Sequence, residues 1–278
     1  MKKTRIKTMI QNYWLLCMAA AIVTLVMNHF CRTNDSDALK WILTPTARWV
    51  SVLSGIPFEY LPHQGYVNHF HQFLIASSCS GSRFMLLTFL MLVFSFPISD
   101  LLGKNSGMYS LRDCEKTCEA GQKNNNADRI GAYKEYLWFG FSMTFSYITT
   151  IFVNGIRITV SIYFPAILEK KHLMNGWLTD DRLHTLIGTV TYFTSLCVVY
   201  LLASLLRRCM FRQAKRQTDI MLLIPAFWYL LVVLALPFAK RMYHNEWDGF
   251  GQYAAVIVGV CGSVCVLSVI GGRIRRRR

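Results

Sequence analysis

Six apolar stretches constrain the fold of this chain more than any other feature of its sequence. A membrane-spanning α-helix needs about 20 mostly apolar residues. Charged residues make up only 16% of the chain, against about 25% in a soluble domain. We therefore predict an all-α integral membrane protein, a single membrane domain over residues 1–278 with about six transmembrane helices. The predicted spans are 13–31, 83–103, 136–160, 184–206, 219–239 and 251–271.

Three connecting segments have patterns of their own. Residues 41–56 are apolar but short, and they contain Pro45 and Arg48, which favours a re-entrant or interfacial helix. Residues 58–76 mix polar and aromatic side chains around a Gln-Gly pair, which predicts a short hairpin on the outer side. Residues 104–135 are polar, with a Gly-Gln-Lys-Asn-Asn-Asn centre, and we predict a flexible cytoplasmic loop there.

The basic residues indicate an orientation in the membrane. The net charge is +15, and a strongly basic chain often binds nucleic acid. No nucleic-acid motif is present, however, and the basic residues flank the apolar stretches, where they meet anionic membrane lipid. With the N-terminus inside, the inner segments carry 20 Lys and Arg residues and the outer segments carry 8. We therefore predict a multi-pass protein of the plasma (inner) membrane, with both termini cytoplasmic.

Cys79 is the first of three polar residues that stand out. It precedes the second apolar stretch and is followed by Ser80, Gly81 and, one turn later, Arg83. A helix N-terminus and a nearby cation both favour the thiolate, which is the nucleophilic form of cysteine. Ser and Gly also let a substrate backbone come close. The same segment equally fits an unreactive cysteine packed at the interface, with serines acting only as helix caps.

Arg157 is the second unusual residue, near the outer end of the third predicted span. A charge at the bilayer centre costs about 2.5–3.5 kcal/mol on insertion scales, so such residues usually face the protein interior. Asn154 lies three residues earlier and shares the same helix face. The alternative is an arginine that extends to lipid headgroups. Asn154 and the neighbouring Gly155 favour a functional site.

His184 is the third unusual residue, near the outer end of the fourth predicted span. Asp180 and Asp181 lie four and three residues before it. Either carboxylate could hold the imidazole in one tautomer, as a third group orients a catalytic base. Taken alone, His184 fits better as an interfacial residue that only anchors its helix.

Together, these three residues favour a specific chemistry. The charge-based topology places the Cys79 thiol, the Arg157 guanidinium and the His184 imidazole at one depth on the outer side. A histidine is the usual base that activates a cysteine, and a fixed cation suits a developing oxyanion. We therefore predict acyl transfer through a thioester at the outer membrane–water boundary.

These residues resemble those of the exosortase/archaeosortase family. In its short length the chain resembles an exosortase K-like member of that family. The resemblance is carried by Cys79-Ser80-Gly81, by Asn154 to Arg157 and by His184, each at the end of a predicted membrane helix. It covers residues 40–205, the predicted exosortase-like catalytic core. Similar segments upstream are Thr44-Pro45-Thr46-Ala47, Leu53-Ser54-Gly55 and Gly65-Tyr66.

The resemblance implies a membrane cysteine transpeptidase or protease that faces outward. Such an enzyme cleaves exported proteins at a C-terminal sorting signal, which consists of a motif, a hydrophobic helix and a basic tail, and passes the acyl group to an acceptor. It implies Cys79 as nucleophile, Arg157 as the oxyanion or substrate-positioning cation, and His184 as the acid/base. No metal or organic cofactor is expected. The supporting residues would be Ser80, Gly81, Arg83, Asn154, Asp180 and Asp181.

Two other functions fit parts of the sequence. The first is a metal- or haem-handling membrane protein that uses outer-face histidines, although no known zinc or haem spacing is present. Its candidate ligands are His63, His69, His71 and His172. The second is a transporter or assembly factor, in which membrane Asn, Arg and His residues line a polar path.

Overall fold

The protein is mostly helical and carries one small sheet. A computed structural model describes residues 2–70, 73–104, 125–170, 180–211, 223–235, 251, 253–263 and 266. The helices are α1 (Lys2–Thr33), α2 (Lys40–Ser54), α3 (Ser82–Lys104), α4 (Asn125–Lys170), α5 (Asp180–Phe211), α6 (Leu223–Leu230) and α7 (Tyr253–Ser263). A π-helical turn, Leu231–Ala235, follows α6. The strands are β1 (Glu59–Leu61), β2 (Gly65–Asn68) and β3 (Phe73–Ile75).

Helix α2 occupies the segment predicted to be re-entrant or interfacial. It ends at Gly55, which adopts a left-handed conformation and donates its backbone N–H to the carbonyl of Ser51; glycine is the usual residue at such a helix end. Its buried face includes Ile42, Leu43 and Val50, which belong to an apolar cluster with residues of α3 and α4. This apolar burial fixes α2 beside the site described below.

Helices α2 and α4 come close together at Gly155. The Trp49 indole N–H donates to the backbone carbonyl of Phe152 over 3.3 Å, and the two rings meet edge to face at 5.0 Å. A methyl group at position 155 would overlap the Trp49 ring. Small residues allow this kind of close approach between membrane helices.

The predicted outer hairpin is a three-stranded antiparallel sheet. Strands β1 and β2 pair with Tyr60 opposite Tyr66, and β3 extends the sheet by pairing Leu74 with Val67. The predicted hairpin is therefore present as β1–β2, and β3 is an addition to it. The third strand brings the chain directly to the turn that carries Cys79.

Asp37, between α1 and α2, anchors the sheet to the helices. It accepts hydrogen bonds from the Tyr60 hydroxyl and from the His63 backbone N–H, and it forms an ion pair with Lys40 at 3.1 Å. These donors, the Tyr60 hydroxyl first and then Lys40, lower the pKa of Asp37 to about 2. The same contact to Asp37 raises the pKa of Lys40.

Helices α3, α4 and α5 form the main core together with α6 and α7. The core residues include Phe84 and Leu92 of α3, Val153 of α4, and Phe193 and Leu196 of α5. Buried apolar side chains drive this assembly. The part of the interface among α3, α4 and α5 that lies nearest the start of α3 carries the polar residues that form the candidate site.

Four helical segments are long and apolar enough to cross a membrane: Trp14–Thr33, Ser77–Phe94, Tyr136–Pro165 and Leu183–Leu206. They coincide with the first four predicted spans and are consistent with an all-α membrane protein. The predicted count of six is not confirmed. The predicted fifth and sixth spans lie partly outside the described residues, and the apolar helices described there, Ile224–Leu234 and Tyr253–Ser263, are shorter.

The predicted loop over 104–135 differs in part from the structure. Helix α4 begins at Asn125, so residues 125–135 are helical rather than part of a flexible loop. This end of the helix is polar, and polar residues carry little apolar periodicity from which a helix could be predicted. Residues 105–124 of the predicted loop lie outside the described part of the chain.

Candidate active site

Cys79 lies in a tight turn that leads into α3. Residues Ser77–Cys79 form one turn of 3-10 helix, in which the Cys79 N–H donates to the Ala76 carbonyl over 2.9 Å. Helix α3 begins three residues later, at Ser82. The Cys79 side chain is half-buried. The sequence thus places a partly exposed thiol just before a long apolar helix.

Gly81 allows this turn to lie against α4. Its φ is +71°, a left-handed conformation that side chains with a Cβ rarely adopt. A Cβ at this position would lie 2.9 Å from Cγ of Asn154. The carbonyl of Gly81 accepts the N–H of Met85 over 3.1 Å and so begins the helical hydrogen bonds of α3.

Asn154 of α4 holds the Cys79 turn from the other side. Its side chain is fully buried, and its Nδ2 donates to the backbone carbonyl of Cys79 over 2.5 Å. A buried amide that made no such bond would be costly in a membrane helix. The structure therefore brings Asn154 directly to the cysteine, through the backbone.

Arg157 lies one helical turn after Asn154 on α4, and it meets His184 near the start of α5. Arg157 Nη2 contacts His184 Nε2 at 2.7 Å. A guanidinium nitrogen can only donate a hydrogen bond, so Nε2 of His184 is the accepting, unprotonated nitrogen. The imidazole in this arrangement is the neutral tautomer with its proton on Nδ1.

Tyr192 of α5 joins the Cys79–Asn154 part of the site to the Arg157–His184 part. It is not among the site residues predicted from the sequence. Its hydroxyl donates to Asn154 Oδ1 over 2.9 Å and accepts from Arg157 Nη1 over 3.2 Å. The Arg157 guanidinium also lies over the Tyr192 ring, 5.3 Å from its centroid, and the Cys79 side chain is within electrostatic range of the same hydroxyl. Spacing could have revealed Tyr192, because it lies two helical turns after His184 and shares its helix face.

The remaining predicted residues differ in how they meet this cluster. Ser80 is buried next to the cysteine, and its Oγ accepts the N–H of Ser82 over 3.4 Å. Arg83, predicted as a second cation, has an exposed side chain at the start of α3. Asp180 and Asp181 form the beginning of α5, but their side chains lie outside the described part of the structure.

The histidines of the alternative hypothesis lie elsewhere. His63 approaches Asp37 at 3.0 Å, and His69 is exposed; His71 and His172 lie outside the described residues. Within the described part of the chain, no three His, Cys, Asp or Glu side chains come close enough to hold a metal ion.

Comparison with known proteins adds no assignment. No protein-family model, no curated protein and no solved structure matches the chain. The function must therefore be argued from the site itself.

Proposed function

We propose that this protein is a membrane cysteine transpeptidase or protease of the exosortase type. One observation carries the proposal: an unbroken series of hydrogen bonds that runs from the Cys79 carbonyl through Asn154 and Tyr192 to Arg157, and from there to His184. Asn154 is fully buried, and Arg157 and Tyr192 are half-buried among apolar helices, where polar groups are costly and usually mark a functional site. The series links the Arg157 and His184 side chains to the backbone of the residue that carries the proposed nucleophile.

Covalent catalysis by Cys79 follows from these groups. His184 takes the proton of the Cys79 thiol, and the sulfur attacks the scissile carbonyl carbon of the substrate. A C–S bond forms and the C–N bond breaks. The leaving amine receives the proton from His184, and the acyl group stays on Cys79 as a thioester.

Arg157 supplies the cation for the oxyanion, and its contact with His184 makes the reaction depend on substrate. In the site without substrate, Nη2 of Arg157 donates a hydrogen bond to Nε2 of His184, the nitrogen that would act as base. The carbonyl oxygen of a bound substrate carries a partial negative charge before the sulfur attacks, and it attracts Nη2. When Nη2 turns to this oxygen, Nε2 of His184 becomes free to accept the thiol proton.

The second half of the reaction releases the product. A nucleophile, either an acceptor group or water, attacks the thioester carbon and loses its proton through His184 to the departing sulfur. The Cys79 thiol is regenerated, and the acyl group is transferred or hydrolysed. Neither half needs a metal or an organic cofactor.

The membrane arrangement proposed with this function has six spans in the plasma (inner) membrane, cytoplasmic termini and an outward site. It is supported by the apolar helices and by the excess of basic residues in the predicted inner segments. The proposed substrates are exported proteins with a C-terminal motif, a hydrophobic helix and a basic tail. Their helix would lie beside the enzyme in lipid, with the motif at the depth of Cys79.

Processing of such a substrate tests the proposal. The probe is an exported protein with this kind of tail, encoded next to the gene for this chain, and it is expressed with the parent chain or with Cys79→Ser. We expect shortening of the probe with the parent, and none with Cys79→Ser inserted at the same level. Cys17→Ser in α1 is the matched control and should process normally. Normal processing by Cys79→Ser would refute the cysteine mechanism.

A further inference from the structure

Tyr192 is half-buried and joins the two parts of the candidate site. Its ring stacks on the Phe84 ring of α3, with the centroids 4.9 Å apart and the planes 14° apart. Phe84 is itself buried in the core. Because the Tyr192 ring extends from α5 and packs against α3, its hydroxyl has a fixed place beside α4.

The hydrogen bonds of this hydroxyl have only one consistent direction. Arg157 can only donate, so the Tyr192 oxygen accepts from Arg157 and its own proton goes to Oδ1 of Asn154. The Nδ2 of Asn154 is then left to face the Cys79 carbonyl, which can only accept. Tyr192 therefore holds one end of the Asn154 amide, and the Cys79 carbonyl holds the other.

We propose that Tyr192 is a positioning residue that orients Asn154 against the Cys79 turn and holds Arg157 through Nη1 while Nη2 moves between His184 and the substrate. Its part in catalysis rests on the proposed function, whereas its part in holding the Cys79 turn does not. A hydroxyl that fixes Nη1 leaves the rest of the guanidinium free to rotate, so Arg157 can leave His184 and remain in the site.

Tyr192→Phe isolates the hydroxyl, because it keeps the stacked ring. It leaves the Asn154 amide able to turn, which releases the Cys79 carbonyl, and it removes the partner of Arg157 Nη1. Tyr229→Phe is the matched control. Tyr229 is a buried tyrosine whose hydroxyl donates to the Thr189 carbonyl of α5 over 3.5 Å, and within the described part of the chain this hydroxyl does not bond Asn154 or Arg157.

Alkylation of Cys79 by iodoacetamide, followed on the full chain by mass spectrometry, measures the restraint on the turn. We expect Asn154→Ala and Tyr192→Phe each to speed alkylation by about tenfold, the factor that an ordinary hydrogen bond supplies. The double variant should be no faster than either single variant, because both changes release the same contact. Tyr229→Phe should react like the parent.

Three results of the alkylation experiment would overturn the inference: an unchanged rate in Tyr192→Phe, an unchanged rate in Asn154→Ala, or rates that multiply in the double variant. In the processing assay, Tyr192→Phe should lower kcat by about 10- to 100-fold with KM unchanged. A changed KM with the parent kcat would contradict the role of Tyr192 in holding Arg157. If the parent itself processes no probe, the proposed function fails, and the alkylation rates still decide whether Tyr192 positions the turn.

Discussion

At the scale of single residues, Gly81 determines whether the Cys79 turn can approach α4. Its left-handed backbone and its contact with Asn154 both exclude a side chain. The turn therefore depends on glycine for two independent reasons, one conformational and one steric. Gly81→Ala adds a single methyl group and tests both the conformational and the steric reason.

We expect Gly81→Ala to destabilise the protein by about 1–3 kcal/mol, the usual cost of a strained backbone, and to impair processing by pushing Asn154 away from the Cys79 carbonyl. Thermal unfolding in detergent and the processing assay measure the two effects. Gly140→Ala is the control, since a Cβ there meets nothing within 4 Å. A Gly81→Ala protein as stable and active as the parent would show that Asn154 does not hold the turn.

Single residues also show what the sequence could predict of the site. Asn154, Arg157 and His184 were found because polar side chains stand out in apolar stretches. Tyr192 does not stand out in the same way, since tyrosine is common in membrane helices. Its role depends on contacts among three helices, which no single stretch of sequence records. The contact between Arg157 and His184, likewise, required the packed helices.

At the scale of elements, Asp37 supplies the charged contacts between the sheet and the helices, beside the Tyr66–Thr44 hydrogen bond and the apolar packing of the strands. The Asp37 carboxylate receives the Tyr60 hydroxyl, the His63 N–H and the Lys40 ammonium. The ion pair with Lys40 requires ionised Asp37, and the two hydrogen bonds are stronger in that state; together they hold the pKa of Asp37 at about 2, below the ordinary 3.8. A lowered pKa contributes stability above the ordinary value, and this stability is lost as the pH falls through the folded value.

We therefore expect residues 58–76 to become sensitive to pepsin as the pH falls from about 4 to about 2. In Asp37→Asn the same segment should be cleaved at a similar rate throughout this range, because the ionised partner is missing at every pH. Asp35→Asn is the control: Asp35 is exposed, and among the described residues its ion-pair partner is His63 at 3.8 Å. Equal acid sensitivity in the parent and in Asp37→Asn would assign the loss to another group.

The elements differ in how well sequence predicts them. Long apolar stretches predicted the positions of the first four membrane-length helices, because length and hydropathy are enough for that purpose. Strand β3 was not predicted, since Phe73–Ile75 is too short to show a period. Residues 125–135 are predicted as loop but form the first turns of α4, which begins at Asn125. These turns are polar, so they lack the apolar pattern from which a helix is predicted.

At the scale of the whole molecule, the proposed function requires the site to face away from the cytoplasm. The charge distribution predicts this orientation, and the chain contains natural probes for it. Cys79 lies in the candidate site, and Cys114 and Cys118 lie in the segment predicted to be cytoplasmic.

Labelling of intact cells with a membrane-impermeant thiol reagent tests the orientation. We expect Cys79 to be labelled before permeabilisation, and Cys114 and Cys118 only after it. A Cys79→Ser protein should lack the label that appears before permeabilisation, which assigns this label to Cys79. Labelling of Cys114 in intact cells, with Cys79 protected, would reverse the predicted topology and place the site on the cytoplasmic side.

Intact-mass analysis of the chain purified with its co-expressed exported probe is the most direct test of the central claim. The proposal predicts an added mass equal to that of the cleaved probe, attached at Cys79, removed by hydroxylamine and missing from Cys79→Ser. Cleavage of the probe with no adduct on Cys79, under conditions that preserve thioesters, would contradict it.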